Sequence, residues 1–168
     1  MGAVARPGRA THHGRLVATV ATAVLLSACA PGPVEVDAPT LRGAAARTCD
    51  GLMSALPDTV AGLPRQQVEP AGGYAAAWGE EAPIVLRCGV PRPAGFDRFA
   101  TCQETNGVGW FIPEEQITGE PVDVTMTTIG RVHYVEVVVP ADHWPPAETM
   151  VDLAGPIKRS VREVDPCV

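Results

Sequence analysis

Apolar positions change their period twice along this chain. Ala45, Cys49, Leu52, Met53 and Leu56 recur at i, i+4, i+7, i+8 and i+11, which is one face of an α-helix. The pattern predicts a helix over 40–56, with Thr40 as its cap and Pro57 as its stop. From 57 to 139 the spacing shortens toward two. Leu63-Pro64-Arg65 reads as a turn, and residues 66–69 and 74–78 read as short strands. Ile84, Val85 and Leu86 mark a core strand over 83–90, and Pro91 to Thr101 is a loop closed by Cys102. Val108 to Ile112 follows an Asn106-Gly107 turn. Val122 to Met126 alternates, and Val132 to Val139 is the clearest strand, so the two form an antiparallel hairpin. Helical phase then returns at Met150, Leu153, Ile157, Val161 and Val164, after a start at 142–146, and continues through Gly155-Pro156. Phase kept across a proline predicts one kinked helix. The expected fold is α+β: an antiparallel sheet of about five or six strands, with an N-terminal and a C-terminal helix packed on one face.

The pattern before residue 40 is of another kind. Arg6, Arg9 and Arg15 precede an uncharged run from Leu16 to Leu26, followed by Ser27, Ala28 and Cys29. A basic region, an apolar stretch and a small-residue site compose a secretory signal. The apolar stretch falls short of the roughly 20 residues that a spanning helix requires. Leu26-Ser27-Ala28-Cys29 resembles a bacterial lipobox. That resemblance implies diacylglycerol on Cys29, removal of residues 1–28 and a chain held at the outer face of the cytoplasmic membrane. Residues 29–40 then read as a lipidated cysteine and a proline-rich tether, and 41–168 as a single domain.

Processing sharpens the charge. The leader carries 3 of the 13 Lys and Arg residues and none of the 19 acids, which leaves 10 basic and 19 acidic residues and a formal charge of −9. Such a chain gains nothing from docking electrostatically on an acidic membrane, and nucleic acid is excluded as a partner on the same ground. Outside the leader the remaining cysteines are Cys49, Cys88, Cys102 and Cys167. An even set in an oxidising compartment reads as two disulfides. Three connectivities are possible; the favoured one is Cys88–Cys102, closing a short loop, with Cys49–Cys167 stapling the first helix to the C-terminus. No Cys-x-x-Cys redox motif occurs.

Several of these segments in this order resemble one family. They are the lipobox, Cys49-Asp50-Gly51-Leu52, Leu86-Arg87-Cys88-Gly89, Cys102, Asn106-Gly107-Val108-Gly109-Trp110-Phe111 and a C-terminal helix closing on Cys167. Together they are similar to the actinobacterial lipoproteins catalogued as domain of unknown function 3515. The resemblance implies secretion and a coherent fold and brings no chemistry with it.

The residues themselves offer little catalysis. Gly-x-Ser-x-Gly and Ser-x-x-Lys are absent, and beyond the leader the serines are Ser54 and Ser160, both on expected helices. His133 and His143 lack the spacing of a metal site, so neither metal nor cofactor is expected. Glu80, Glu81, Glu104, Glu114 and Glu115 supply carboxylates that a glycan- or peptidoglycan-cleaving enzyme needs in pairs across a cleft. The richest stretch is Glu104 to Phe111. Arg87, Glu104, Asn106 and Trp110 form a candidate recognition surface, because Trp and Arg are over-represented at binding hot spots; the favoured alternative is that Trp110 is core and the glycines serve a turn or bulge. The leading expectation is thus a non-catalytic, lipid-anchored module that binds an envelope protein or cell-wall component. The alternative is a small envelope enzyme working through paired carboxylates.

Overall fold

A computed structural model describes residues 1–2, 32–97 and 99–167. The remainder of the expected leader and Cys29 lie outside the described residues. Among the described residues no helix is long and apolar enough to cross a membrane.

The chain runs β1 (Val34–Glu35), α1 (Gly43–Ala55), β2 (Thr59–Val60), β3 (Leu63–Gln66), β4 (Val68–Glu69), β5 (Ala75–Trp78), β6 (Ile84–Val90), β7 (Cys102–Thr105), β8 (Val108–Phe111), β9 (Val124–Ile129), β10 (Tyr134–Val139) and α2 (Ala147–Ser160). Strands β2 to β10, without β4, form one eight-stranded sheet in the order β2-β3-β5-β6-β10-β9-β8-β7, and β1 pairs with β4 separately. Every neighbour in the large sheet is antiparallel. The class is α+β, and the sheet exceeds the expected five or six strands for two reasons. Leu63-Pro64-Arg65 is part of β3, not a turn: Pro64 lacks an N–H, but its carbonyl accepts from Gly79 N at 2.9 Å. At the other edge, Asn106 and Gly107 both adopt positive φ (53° and 78°). This is the backbone of a tight hairpin turn, and it folds Cys102–Thr105 back onto β8.

Alternation separates the two faces of the sheet. Ile84, Leu86 and Cys88 of β6, Val135, Val137 and Val139 of β10, Val124 and Met126 of β9, and Val108 and Trp110 of β8 point to one side, where they share a core with Leu52 of α1 and Leu153 and Ile157 of α2. Burial of this kind contributes roughly 25 cal/mol per Å2 of apolar surface. Helix α1 starts at Gly43, with Arg42 at the cap position and no side-chain cap, so Thr40 does not cap it. Leu56 is extended ahead of Pro57, as the residue before a proline prefers. Helix α2 continues through Pro156, and Met150, Leu153, Ile157 and Val161 are buried. Val164 is exposed. The helix has ended by then, and the chain returns beside β9, where Val132 N donates to Arg162 O at 3.0 Å.

Two expectations are corrected. The disulfides join Cys49 to Cys88 and Cys102 to Cys167, not Cys88 to Cys102 and Cys49 to Cys167. Cys88 shares the parity of Leu86 and Ile84 and so faces α1, while Cys102 lies opposite Phe111 on the other face. The two cannot meet through the sheet. Within 29–40, residues 34–36 belong to the fold and not to a tether. Val34 and Glu35 pair in parallel with Val68 and Glu69, and Val36 is buried. Beyond them Leu41 sits over Gly89, where a Cβ would collide with its methyl groups.

Peptide mapping without reduction is expected to recover links 49–88 and 102–167; a 49–167 link would contradict this fold. Replacing Cys49 and Cys88 together by alanine should lower unfolding free energy by about 4 kcal/mol, the loop-closure value for a loop of this length, as measured by denaturant titration.

Candidate functional site

The candidate recognition surface is not assembled, and the core reading of Trp110 holds. Trp110 is fully buried. It lies opposite Thr128, with the parity that points toward the helices. Arg87 occupies the reverse face, where its Nε donates to Glu136 Oε1 at 2.9 Å and its Nη2 makes a second, short contact with the same oxygen. Glu104 lies opposite Gly109, and Asn106 is exposed at the β7–β8 turn. The structure therefore puts Arg87 and Trp110 on opposite sides of the sheet and unites none of the four in one patch.

Among the described residues no helix covers the second face of the sheet. Arg87, Glu136, Thr127, Phe111 and Cys102 form one cross-strand row on it, flanked by Val85, Val138 and Thr125, all half-buried. At the β8 side the loop 91–101 folds against this face. The Phe96 ring packs on Phe111 at 5.4 Å and a tilt of 51°. Arg92 braces the loop: its Nε and Nη2 donate to Phe96 O at 3.2 and 2.8 Å, and its guanidinium lies 4.7 Å from the Phe96 ring centroid. Asp97 Oδ1 accepts from Phe99 N at 2.7 Å and so turns the chain just before Phe99.

The opposite wall follows β8. Pro113 opens a 3-10 turn over Glu114–Gln116, closed by Ile117 N donating to Glu114 O at 3.1 Å. Gln116 Oε1 accepts from Thr125 N at 2.7 Å, which ties this wall to β9. Between the walls lies an open groove of about 730 Å3. Its floor is Phe111 and Ile112, and Phe99 and Ile117 stand at its mouth, 80% and 47% exposed. All three phenylalanines of the chain are thus in or beside this groove. Glu114 and Glu115 form its acidic rim, and among the described lining residues there is no cation.

The groove joins an apolar floor and mouth to a carboxylate rim. Large exposed apolar groups set in a concavity with a polar rim mark interaction sites. Its chemistry is otherwise sparse. Of the five carboxylates considered from the sequence, only Glu114 and Glu115 border it, consecutive on one wall. Glu80 and Glu81 follow β5, and Glu104 is on β7. Ser54 Oγ is committed to Asp50 O at 2.9 Å on α1. Among the described residues no group of three or more His, Cys, Asp or Glu is placed to hold a metal ion. Sequence reasoning passed over this site because 91–101 lacks periodicity. The available signal was two phenylalanines, Phe96 and Phe99, inside a loop otherwise made of Pro, Gly, Ala, Arg, Asp and Thr.

The fold and its two disulfides define the class, a small disulfide-stapled α+β domain. The chain belongs to the family described as Protein of unknown function (DUF3515), whose model matches residues 15–166. Neither the curated proteins nor the solved structures gave a match.

Trp110→Ala should cost about 3–5 kcal/mol of stability, as deletion of a buried aromatic does. Ile117→Asp should change stability by less than about 0.5 kcal/mol, the range for surface positions away from core features. Thermal or urea unfolding of the two variants reads this contrast directly. Equal losses would mean that Trp110 is not core or that Ile117 is not exposed.

Proposed function

We propose that this protein is an extracytoplasmic lipoprotein that binds an envelope polypeptide through the groove between loop 91–101 and residues 112–117. The observation that carries the reading is the groove itself, with its phenylalanine floor, two exposed apolar residues at the mouth and a carboxylate rim. Its occupant is a segment that offers an apolar side chain next to Lys or Arg. The rim and the net charge of −9 beyond the leader both favour such a partner.

Attachment through Cys29 rests on the Leu26-Ser27-Ala28-Cys29 motif and on the signal-like segment before it. The pairing of all four remaining cysteines suits an oxidising compartment. The anchor would be short. The folded strand begins at Val34, and the few residues between it and Cys29 span at most about 17 Å when fully extended. The domain would then work at the membrane surface and reach partners that lie there.

The test is in-cell photo-crosslinking with the probe at Ile117 and a control probe at Val151, which is exposed on α2. A discrete adduct from 117 and none from 151 is expected. The same adducts from both positions, or none from 117 in folded protein, would refute the groove as a partner site. Independently, Cys29→Ala should move the protein from the membrane to the soluble fraction; membrane retention would refute lipid attachment at Cys29.

A further inference from the structure

Away from the groove, where the end of α2 meets the β7–β8 turn, the cations of this acidic chain gather. Ten Lys and Arg residues lie outside the leader. Four of them, Arg131, Lys158, Arg159 and Arg162, line one open pocket of about 500 Å3. Lys158 is the only lysine in the chain. The one carboxylate in the lining is Glu163, whose Oε2 is 3.4 Å from Arg131 Nη2 and whose side chain is 48% exposed. Among the described residues Lys158, Arg159 and Arg162 form no ion pair.

Arg131 is the fixed part of this arrangement. Its side chain is 3% exposed. Nη1 donates to Val161 O at 2.6 Å and Nη2 to Gly107 O at 2.7 Å, while the buried Nε has no hydrogen-bond partner. Burial pushes the guanidinium below its ordinary value, with Glu163 opposing the shift, and an arginine in this state is still charged. Neutral carbonyls orient that charge without cancelling it. A second cation meets the same turn: a Cβ on Gly107 would lie 2.9 Å from Lys158 Nζ. The helix dipole accounts for basic residues in the last turn of α2, which are Lys158 and Arg159. It accounts for neither Arg162, which follows the helix, nor Arg131, which comes from the β9–β10 connection. Three cations able to move above a rigid, buried fourth suit a small multivalent anion, which can take hydrogen bonds from an arginine fork and an ammonium at once.

We infer that this pocket binds a phosphate-type oxyanion, carried either by a soluble phosphate ester or by a lipid headgroup, at a site separate from the groove. The inference does not depend on the partner reading above. It gives the Asn106-Gly107 turn a further role, since Gly107 O holds Arg131 in place and the missing side chain of Gly107 leaves room for Lys158.

The full chain carrying Cys29→Ala removes any attached lipid from the test. Titrating it with inorganic phosphate at constant ionic strength should shift the Gly107 amide resonance saturably. Replacing Lys158 and Arg162, both exposed, by glutamine should weaken binding at least about tenfold, the effect of losing one charge-assisted hydrogen bond; unchanged resonances elsewhere report that this variant is folded. In a second arm, vesicles of phosphatidylglycerol and of phosphatidylcholine are sedimented with the same proteins. Phosphate binding that the double variant loses supports a soluble source. Binding to phosphatidylglycerol alone, lost in the double variant, supports a headgroup. No saturable response in either arm, or a response that the double variant retains, overturns the inference.

Discussion

An eight-stranded sheet has two faces, and the two α-helices among the described residues are both committed to the same one. That shortage of cover organises the rest of the molecule. The helix side closes as a conventional core around Leu52, Leu86, Val137, Leu153 and Trp110, and Cys49–Cys88 ties α1 to a central strand at its middle. On the other side the described residues supply only irregular chain as cover. Loop 91–101 lays Phe96 on Phe111, and the C-terminal tail is drawn to the β7 edge by Cys102–Cys167. Loops shield a sheet less completely than helices, because their own backbone polar groups must reach water or a partner. The concavities appear at the margins of these covers.

The two disulfides divide this work. One lies inside the helix layer. The other holds the C-terminal segment near Gly109 and Gly130, at positions where no side chain would fit: a Cβ on Gly109 would lie 2.8 Å from Cys167 Cβ, and one on Gly130 would overlap Asp165 O. The same segment carries Glu163 and Arg162 to Arg131. The basic pocket is thus a by-product of closing the sheet edge, and the acidic groove a by-product of covering its open face. An acidic chain consequently presents two small, chemically opposite features in place of one dominant site.

Much of this was legible in the residues. The apolar runs at 84–86 and 132–139 announced β6 and β10, alternation over 122–126 announced β9, the Asn106-Gly107 pair announced a hairpin turn, and the helical phase of Met150, Leu153 and Ile157 survived Pro156 in the fold as in the pattern. Other features were written there but overlooked. The parity Ile84–Leu86–Cys88 already aimed Cys88 at the helix that buries Cys49, and the alternation Val34–Glu35–Val36 marks a strand within a proline-rich stretch. Trp110 shares the parity of Val108, and of its two readings the core one holds. The groove was not legible, since its walls come from segments without periodicity and its floor from one residue of a strand. Nor was the basic pocket, because Arg131 stands far in sequence from the cluster at 158–162 and only the return of the chain beside β9 brings them together.

The central claim is that function resides in the loop-covered margin of the open face, at the groove. Hydrogen exchange read by mass spectrometry, comparing the purified full chain with the same chain in membranes of cells that express it, addresses this most directly. Slower exchange confined to 94–101 and 111–117 in the membranes is the predicted result. Unchanged exchange in those two segments, with protection appearing instead on the exposed side of α2 around Val151, would contradict the account.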